Sequence, residues 1–446
     1  MLSIPVLAIA FVGLPHLIRD PLVRAIVVRA STIGRARLVA HGASALPPVP
    51  STTEFPTMFA LVVGVGFTSD NAVDVLTNGA GTFDRLWRDL REAQHSITVQ
   101  MYYAGPGTVA DMAIDILAAR AREGIDVYYL YDAFGTGDLP RQYIDALSAA
   151  GAHTAAYRPV RWYMLDNAAH RLHVRGVVID GRVAYTGGFG LDDKWLGHGR
   201  APGEWRETNA RFAGSAVAEL QAGFAANWAT ATGEVLASEV LTRSADVGRT
   251  AAGPVRTGSS GAADSVLATL VRSPPLMGST AAERLMALAI ASATRTLFIS
   301  NAYFVPTRAF LQLLIEAAHR GVDVRLLTNG RQSDVRTTWL AGRCSYESLL
   351  RAGVRILEYT TTIHAKTLVV DGHLSVIGTI NFDNRSLAYN NEVALVTLDA
   401  GIGRHMDALF VDDAHYADEI VLADFERRAW TARAVERLAS VGSRLL

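Results

Sequence analysis

The sequence predicts an α/β protein with two duplicated lobes, each a mixed sheet covered by helices, related by a pseudo-two-fold axis. Three observations predict this fold. Runs with the alternating pattern of strands are interspersed with runs that have the apolar spacing of helices. Segments of the first half recur in the same order in the second half. The chain has 446 residues, half of them hydrophobic, which is enough for two cores.

The chain begins with a segment, residues 1–56, that is predicted to precede the lobes. Residues 1–18 contain no Asp, Glu, Lys or Arg, and arginines follow them. They are at the lower length limit for a helix across ~30 Å of hydrocarbon, and two prolines interrupt them. They form either a single membrane anchor, with the remaining chain on the cytoplasmic side, or an amphipathic, partly buried stretch. Residues 42–56 hold four prolines and are predicted to be an extended linker.

The duplication is carried by three pairs of segments. The pairs are residues 91–103 with 291–303, residues 114–132 with 310–330, and the runs that begin at His173 and His364. They predict a helix end and a strand, then a helix stopped by Gly124 or Gly321 and a second strand, then a hairpin. We therefore assign residues 57–242 to the first lobe and residues 264–446 to the second. A Gly-, Ala-, Ser- and Thr-rich linker, residues 243–263, separates them.

Both copies contain the pattern His-x-cation-x4-Asp-Gly. The residues are His173, Arg175 and Asp180 in the first copy, and His364, Lys366 and Asp371 in the second. Side chains alternate along a strand, so each histidine and its cation share one face. Asp-Gly before a second β-rich run is typical of a hairpin turn, so both aspartates are predicted first to be structural. As members of the motif, they are also counted among the candidate catalytic residues. Only Lys194 and Lys366 are lysines among 42 basic residues, which makes a retained lysine informative.

Two imidazoles and two cations in one cleft between the lobes suit displacement at a phosphodiester. One imidazole attacks phosphorus and forms a phosphohistidine, while the other protonates the leaving alkoxide and deprotonates the incoming alcohol. An unperturbed imidazole pKa of ~6.5 makes both roles available near neutrality. Arg175 and Lys366 neutralise the phosphate oxygens, so no metal ion or cofactor is expected.

Other residues are predicted to support this site. Gly378 and Asn381 follow the second motif, where the backbone approaches a phosphate and the asparagine amide donates to it. Gly190 stands at the equivalent place in the first copy and lacks this amide. Glu207 and Glu392 are candidate acceptors that orient the imidazoles. For both glutamates, a surface position is the open alternative.

Charge and cysteine content exclude several classes of protein. The 42 basic and 43 acidic residues leave a net charge of −1, so no global positive field attracts nucleic acid, and no nucleic-acid partner is expected. Cys344 is the single cysteine, which excludes an intrachain disulfide and a cysteine-built metal site.

These motifs resemble the phospholipase D superfamily and, within it, the bacterial cardiolipin synthases. The resemblance is carried by residues 363–393, which are close to the family's His-x-Lys-x4-Asp-x6-Gly-Ser/Thr-x-Asn, Asp-x-Arg-Ser and Asn-x-Glu. The run from His173 resembles the family's first copy, and Trp205-Arg206-Glu207 is similar to its Trp-Arg-Asp. In total the resemblance covers roughly residues 70–425.

The resemblance implies two phospholipase D-like lobes, each an α-β-α sandwich, with both motifs at their interface. It implies that His173 is the nucleophile and His364 the general acid and base. The implied reaction joins two phosphatidylglycerol molecules into cardiolipin and releases glycerol. The implied partners are phospholipid and a membrane surface, at the cytoplasmic face of a bacterial cell membrane.

Two positions depart from the family pattern: Arg175 replaces its first lysine, and Gly190 replaces its usual asparagine. The N-terminus also offers at most one spanning helix, whereas many cardiolipin synthases carry two. A lipid hydrolase with water as acceptor, a nuclease and a non-catalytic lipid- or partner-binding relative are the alternatives, with the nuclease disfavoured by charge. The sequence leaves open the acceptor alcohol and the oligomeric state.

Overall fold

The computed structural model describes residues 46–159, 170–236, 265–275 and 279–442. The predicted anchor at residues 1–18 and the predicted linker at residues 243–263 lie outside these ranges. Within the described ranges, no helix has the length and apolar character needed to cross a membrane.

The first half of the chain alternates strands and helices as predicted. Its elements are α1 (Phe55–Val63), β1 (Thr68–Thr77), α2 (Asn78–Arg91), β2 (Ser96–Met101), α3 (Thr108–Arg122), β3 (Asp126–Asp132), α4 (Arg141–Ala149), β4 (His153–Tyr157), β5 (Gly176–Ile179), β6 (Val183–Gly187), a 3-10 turn (Asp193–Trp195), β7 (Trp205–Arg206), β8 (Thr208–Ala213) and α5 (Ala216–Thr232).

The second half repeats this order with additional helices. Its elements are β9 (Val266–Ser273), α6 (Ala281–Ser292), β10 (Thr296–Asn301), α7 (Arg308–His319), β11 (Asp323–Asn329), α8 (Arg336–Arg343), α9 (Tyr346–Arg351), β12 (Arg355–Tyr359), β13 (Thr362–Ile363), β14 (Lys366–Val370), β15 (Leu374–Gly378), α10 (Asn384–Ala388), β16 (Glu392–Leu398), α11 (Ala400–Ala414), β17 (Ala417–Glu419), α12 (Leu422–Glu426) and α13 (Trp430–Gly442).

Fifteen strands of the described residues form one mixed sheet that runs through both lobes. Its order is β17-β12-β11-β10-β14-β15-β16-β9-β1-β8-β6-β5-β2-β3-β4. The parallel group β2-β3-β4 of the first lobe matches β10-β11-β12 of the second, which confirms the α/β class and the duplicated lobes. The two sheets are joined edge to edge by the antiparallel pair β1–β9, so each strand satisfies the other's open edge.

Helix α1 packs on the second lobe although it precedes the first lobe in the chain. Phe55, Phe59 and Val63 are fully buried and lie in the same core as Leu285 of α6. The sequence predicts a linker up to residue 56 and first-lobe structure after it, whereas the helix already begins at Phe55. Pro56 is compatible with this start because the first turn of a helix needs no donated N–H.

A shared core fixes the two lobes against each other. Leu220 and Phe224 of α5 in the first lobe lie in one buried cluster with Leu270 of β9 and Leu395 of β16 in the second. Burial of each such side chain contributes about 2 kcal/mol. This shared core therefore stabilises the interface between the lobes, where the two motifs lie.

Candidate active site

The two motif histidines lie just before β5 and β14, at the lobe interface. The residue before each histidine is held by a polar side chain at the carboxyl end of a neighbouring parallel strand. Leu172 N–H donates to Asp132 Oδ2 of β3 at 2.8 Å, and Ile363 N–H donates to Asn329 Oδ1 of β11 at 2.8 Å. Both imidazoles are buried. Because the backbone before each histidine is anchored in the same way, the two imidazoles enter the lobe interface in equivalent ways.

Backbone pairing between the lobes places each imidazole beside a glutamate. Strand β13 pairs in parallel with β7, with Ile363 opposite Arg206, so the next residues are His364 and Glu207. A matching bridge between Leu172 and Asn391 brings His173 next to Glu392. His364 Nδ1 lies 2.7 Å from Glu207 Oε2, and His173 Nδ1 lies 2.8 Å from Glu392 Oε1.

Each histidine is therefore oriented by a carboxylate of the other lobe. In sequence, Glu207 follows His173 and Glu392 follows His364, so order along the chain relates each glutamate to the histidine of its own copy. The structure instead exchanges the partners. We call His173, Arg175 and Glu392 the first half-site, and His364, Lys366 and Glu207 the second half-site.

Contacts of the first half-site fix the tautomer of its histidine. Arg175 Nη1 lies 3.1 Å from His173 Nε2. A guanidinium only donates, so Nε2 accepts, and the ring proton lies on Nδ1, where it is donated to Glu392. The resting ring thus presents an unprotonated Nε2, which is the form that attacks an electrophile.

Both cations are buried at the centre of the interface. Lys366 Nζ donates to the backbone carbonyl of His364, and burial lowers its pKa to about 7. Arg175 Nε has no hydrogen-bond partner among the described residues, although it is buried. A buried donor without a partner is costly. An anion bound beside His173 would bring an acceptor close to this guanidinium.

Burial also sets the charge of the histidine–glutamate pairs. It lowers the pKa of both imidazoles well below the usual value, and the two neighbouring cations lower it further. It raises the pKa of Glu392 to about 8, and it raises the pKa of Glu207. The empty site therefore favours neutral rings. A bound phosphate anion adds negative charge, which favours the protonated ring that an acid catalyst needs.

The carboxylate of the first half-site is held by hydroxyl donors. Thr379 Oγ1 and Ser386 Oγ donate to Glu392, and Asn390 Nδ2 lies 3.4 Å from its Oε1. Asn381 is buried beside this network, and its N–H donates to Ser386 Oγ at 2.8 Å. Its Oδ1 has no partner in the described part of the chain.

The carboxylate of the second half-site is held by an indole and the backbone. Trp195 Nε1 lies 3.4 Å from Glu207 Oε2, and Thr208 N–H donates to Oε1 at 3.0 Å. Trp195 occupies the position in the first copy that Ser386 occupies in the second, so an indole replaces a hydroxyl. A Cβ at Gly188, the counterpart of Thr379, would lie 2.3 Å from Glu207 Oε2.

The same indole explains Gly190. A Cβ there would lie 2.7 Å from Trp195 Cζ3 and 2.9 Å from the carbonyl oxygen of Tyr103. The space for an asparagine side chain is therefore taken by Trp195, whose ring also stands edge-on to His364 with 5.5 Å between ring centroids. Sequence reasoning counted Gly190 as a missing donor and overlooked Trp195. The alignment of the two motif copies, in which Trp195 is equivalent to Ser386, is the signal that could have identified Trp195.

Both motif aspartates lie at the other end of their strands. Asp180 and Asp371 occupy hairpin turns with φ of 51° and 54°. Asp180 accepts from the backbone N–H groups of residues 94–96, and Asp371 accepts from those of residues 294–296. Seven residues of extended chain separate each from its histidine, about 20 Å. The structure gives them a turn-fixing position and does not bring them to the imidazoles.

Both lysines of the chain lie at the site. Lys194 follows the first motif, and its Nζ donates to Tyr103 Oη at 2.7 Å. It also lies over the rings of Tyr103 and Trp205, 4.0 and 4.6 Å from their centroids. Trp205 in turn packs on His364. Lys194 was singled out in the sequence only as a rare residue type, and its position at the site was missed.

Comparison with protein families matches both lobes to one description. The family described as "Cardiolipin synthase, PLD-like domain" matches residues 86–228 and 286–414. The two matched ranges together contain every motif residue of both half-sites.

Individual proteins agree with this match. The cardiolipin synthase of Geobacillus kaustophilus is 33% identical over 374 residues, which cover 83% of this chain and 72% of that protein. Cardiolipin synthase 2 of Bacillus anthracis is 35% identical over 374 residues, covering 83% of this chain and 70% of that protein. Among solved structures, the phosphatidylserine synthase of Haemophilus influenzae superposes with a TM-score of 0.62 at 13% identity, covering 87% of this chain and 97% of that one, and supports the fold.

Proposed function

Because the chain belongs to the cardiolipin synthase, PLD-like domain family, we propose that it transfers a phosphatidyl group between two phosphatidylglycerol molecules through a phosphohistidine. The products are cardiolipin and glycerol. One observation carries the proposal: two buried imidazoles, each oriented by a carboxylate of the opposite lobe, flank two buried cations.

The first half-reaction forms the covalent intermediate. Nε2 of His173 attacks the phosphorus of the donor lipid, and the bond from phosphorus to the glycerol oxygen breaks. His364 gives its Nε2 proton to that oxygen, so neutral glycerol leaves. Glu392 accepts the Nδ1–H of His173 and stabilises the positive charge that develops on the ring.

The second half-reaction reverses these roles. A hydroxyl of the second phosphatidylglycerol gives its proton to His364 Nε2, and its oxygen attacks phosphorus. The bond from phosphorus to His173 breaks, which restores the free imidazole. Arg175 and Lys366 neutralise the non-bridging oxygens throughout, so their charge replaces that of a metal ion in this scheme. We place the reaction at the cytoplasmic face of a bacterial membrane, where phospholipid is supplied.

A trapping experiment tests the two histidine roles separately. The full-length protein is mixed with labelled phosphatidylglycerol or with a phosphatidyl p-nitrophenyl ester, and the reaction is quenched rapidly. We expect His173→Ala to form no adduct with either donor. We expect His364→Ala to form it with the p-nitrophenyl ester alone, because that leaving group needs no proton.

His319→Ala serves as the matched control, since His319 is exposed at the end of α7, away from the site. Absence of adduct and of turnover in the unaltered protein would refute the proposal in favour of a binding role. Phosphatidic acid in place of the diphospholipid product would identify a hydrolase.

A further inference from the structure

The C-terminal helix α13 exposes its apolar side chains instead of burying them. Trp430, Val435, Leu438 and Val441 leave between 50% and 78% of their surfaces accessible. With 3.6 residues per turn, they and Ala434 lie on one side of the helix. We call this set the C-terminal apolar face. An exposed apolar stripe of this size is typical of an interaction surface.

The opposite side of α13 carries the buried polar contact. Glu436 is almost completely buried and accepts from Arg343 Nε of α8 at 3.1 Å and from Arg428 Nη2 at 3.0 Å. This pairing anchors the helix and fixes which side faces outward. The orientation with apolar groups outward is therefore held by specific contacts and is not an accident of a loose terminus.

The helix that supports α13 follows a loop that lines the active site. In this loop, the Gln332 carbonyl accepts from Thr362 Oγ1 at 2.8 Å, two residues before His364, and Asp334 accepts from Tyr303 Oη. Helix α8 begins directly after the loop and packs along α13. Helix α8 thus connects the C-terminal apolar face with the loop beside the cleft.

The first lobe presents an exposed aromatic side chain in the loop after β3, which corresponds to the second-lobe loop after β11. Phe134 is 61% exposed, and its N–H donates to Asp132 Oδ1 at 2.9 Å. Asp132 is the residue that holds the backbone next to His173. An exposed apolar side chain of the first lobe therefore lies close to the residue that holds the backbone beside His173.

The charge of the C-terminal apolar face indicates what kind of surface binds to it. Arg437 is exposed at the edge of the C-terminal apolar face, and Glu436, the single acid in the sequence of α13, is on the buried side. An outward face that is apolar and positive, with a tryptophan at one end, fits an anionic phospholipid surface.

We infer that the C-terminal apolar face and Phe134 dock on an anionic phospholipid bilayer and hold the cleft against it. The inference rests on the proposed function, because a phosphatidyltransferase must receive its lipid from such a surface. It adds which residues make the contact and which side of the molecule faces the lipid.

Quenching of tryptophan fluorescence tests the contact in the full-length chain. Vesicles contain phosphatidylcholine with or without phosphatidylglycerol, and brominated acyl chains quench only tryptophans that enter the bilayer. We expect quenching with the anionic vesicles and its loss in Trp430→Phe. This readout is specific to α13 whatever other segment binds the vesicle. Unchanged quenching in Trp430→Phe would overturn the inference.

Turnover on two forms of substrate separates docking from catalysis. We expect Leu438→Gln to lower turnover of vesicular phosphatidylglycerol about tenfold, because the polar side chain loses the favourable burial of a leucine in lipid. Turnover of monomeric, short-chain phosphatidylglycerol should not change. Val411→Gln, at an exposed apolar position on α11, is the matched control and should behave as the unaltered protein.

The outcomes distinguish failure of the inference from failure of the proposed function. Equal loss on both substrates would show a structural role for Leu438 and overturn the docking inference. A dimer that Leu438→Gln dissociates would show that a second copy covers the face, and would also overturn it. Quenching of Trp430 in a chain that turns over neither substrate would support docking and refute the proposed function.

Discussion

The two half-sites share a plan but differ in what holds the glutamate. In the first, Glu392 receives hydroxyl donors from Thr379 and Ser386, and Arg175 contacts the imidazole directly. In the second, Glu207 receives an indole N–H from Trp195, and aromatic rings pack on the imidazole. The polar half-site fixes one tautomer and suits a nucleophile. The aromatic half-site places Trp195 and Trp205 against His364, which shields from water the residue proposed to pass a proton to and from an alcohol.

Removing the orienting carboxylates should give the largest effects. We expect Glu392→Gln and Glu207→Gln each to lower kcat about 10²–10⁴-fold, because the imidazole loses its charge-stabilising partner. The two variants should differ in which phosphatidyl donors they still react with. Glu392→Gln should slow adduct formation with every donor, whereas Glu207→Gln should spare the p-nitrophenyl ester. Equal behaviour of the two variants in rapid-quench measurements would contradict the assignment of roles.

The pH dependence should separate the two cations. Lys366 has a pKa lowered by burial to about 7, so it is charged below that pH and neutral above it. Because charge on the lysine favours phosphate binding, kcat/KM should fall by up to about tenfold per pH unit above 7. Lys366→Arg should keep its charge and remove this alkaline decline. A decline that persists in the arginine variant would show that another group causes it.

Restoring an asparagine to the first copy should destabilise the protein. Gly190→Asn would force a Cβ against Trp195, and overpacking of this kind costs about 1–3 kcal/mol. We expect the free energy of unfolding in urea to drop by that amount. Gly66→Asn is the control, because a Cβ at Gly66 meets nothing within 4 Å. If Gly190→Asn leaves the stability unchanged, Trp195 does not fill this space.

Loss of the indole donor should have the smallest effect. Trp195→Phe keeps the ring but removes the hydrogen bond to Glu207, which contributes about 1 kcal/mol, so kcat should fall about fivefold. The matched control is Trp228→Phe, which removes a similar indole contact between Trp228 of α5 and Glu234, outside the site. We expect no change in kcat for the control. An effect no larger than that of Trp228→Phe would argue against a positioning role for Trp195.

Local patterns predicted much of the architecture. Strand alternation and helical spacing placed β2, β3, β10 and β11 and the helices between them, because these elements depend on residues close in sequence. Asp-Gly predicted both hairpin turns for the same reason, and the positive φ of Asp180 and Asp371 agrees with it. The start of α1 was missed, since its stability comes from packing on a helix more than 200 residues away.

The sequence by itself determined the duplication, the α/β class and the residue types that meet at the site. Each of these follows from the spacing of nearby residues or from the repetition of segments. Only the tertiary structure decided which glutamate serves which histidine, how β1 and β9 join two sheets into one, and that Trp195 fills the space beside Gly190. These features arise from contacts between residues far apart in the chain. Such contacts depend on how whole lobes pack, so the periodicity of a single segment does not predict them.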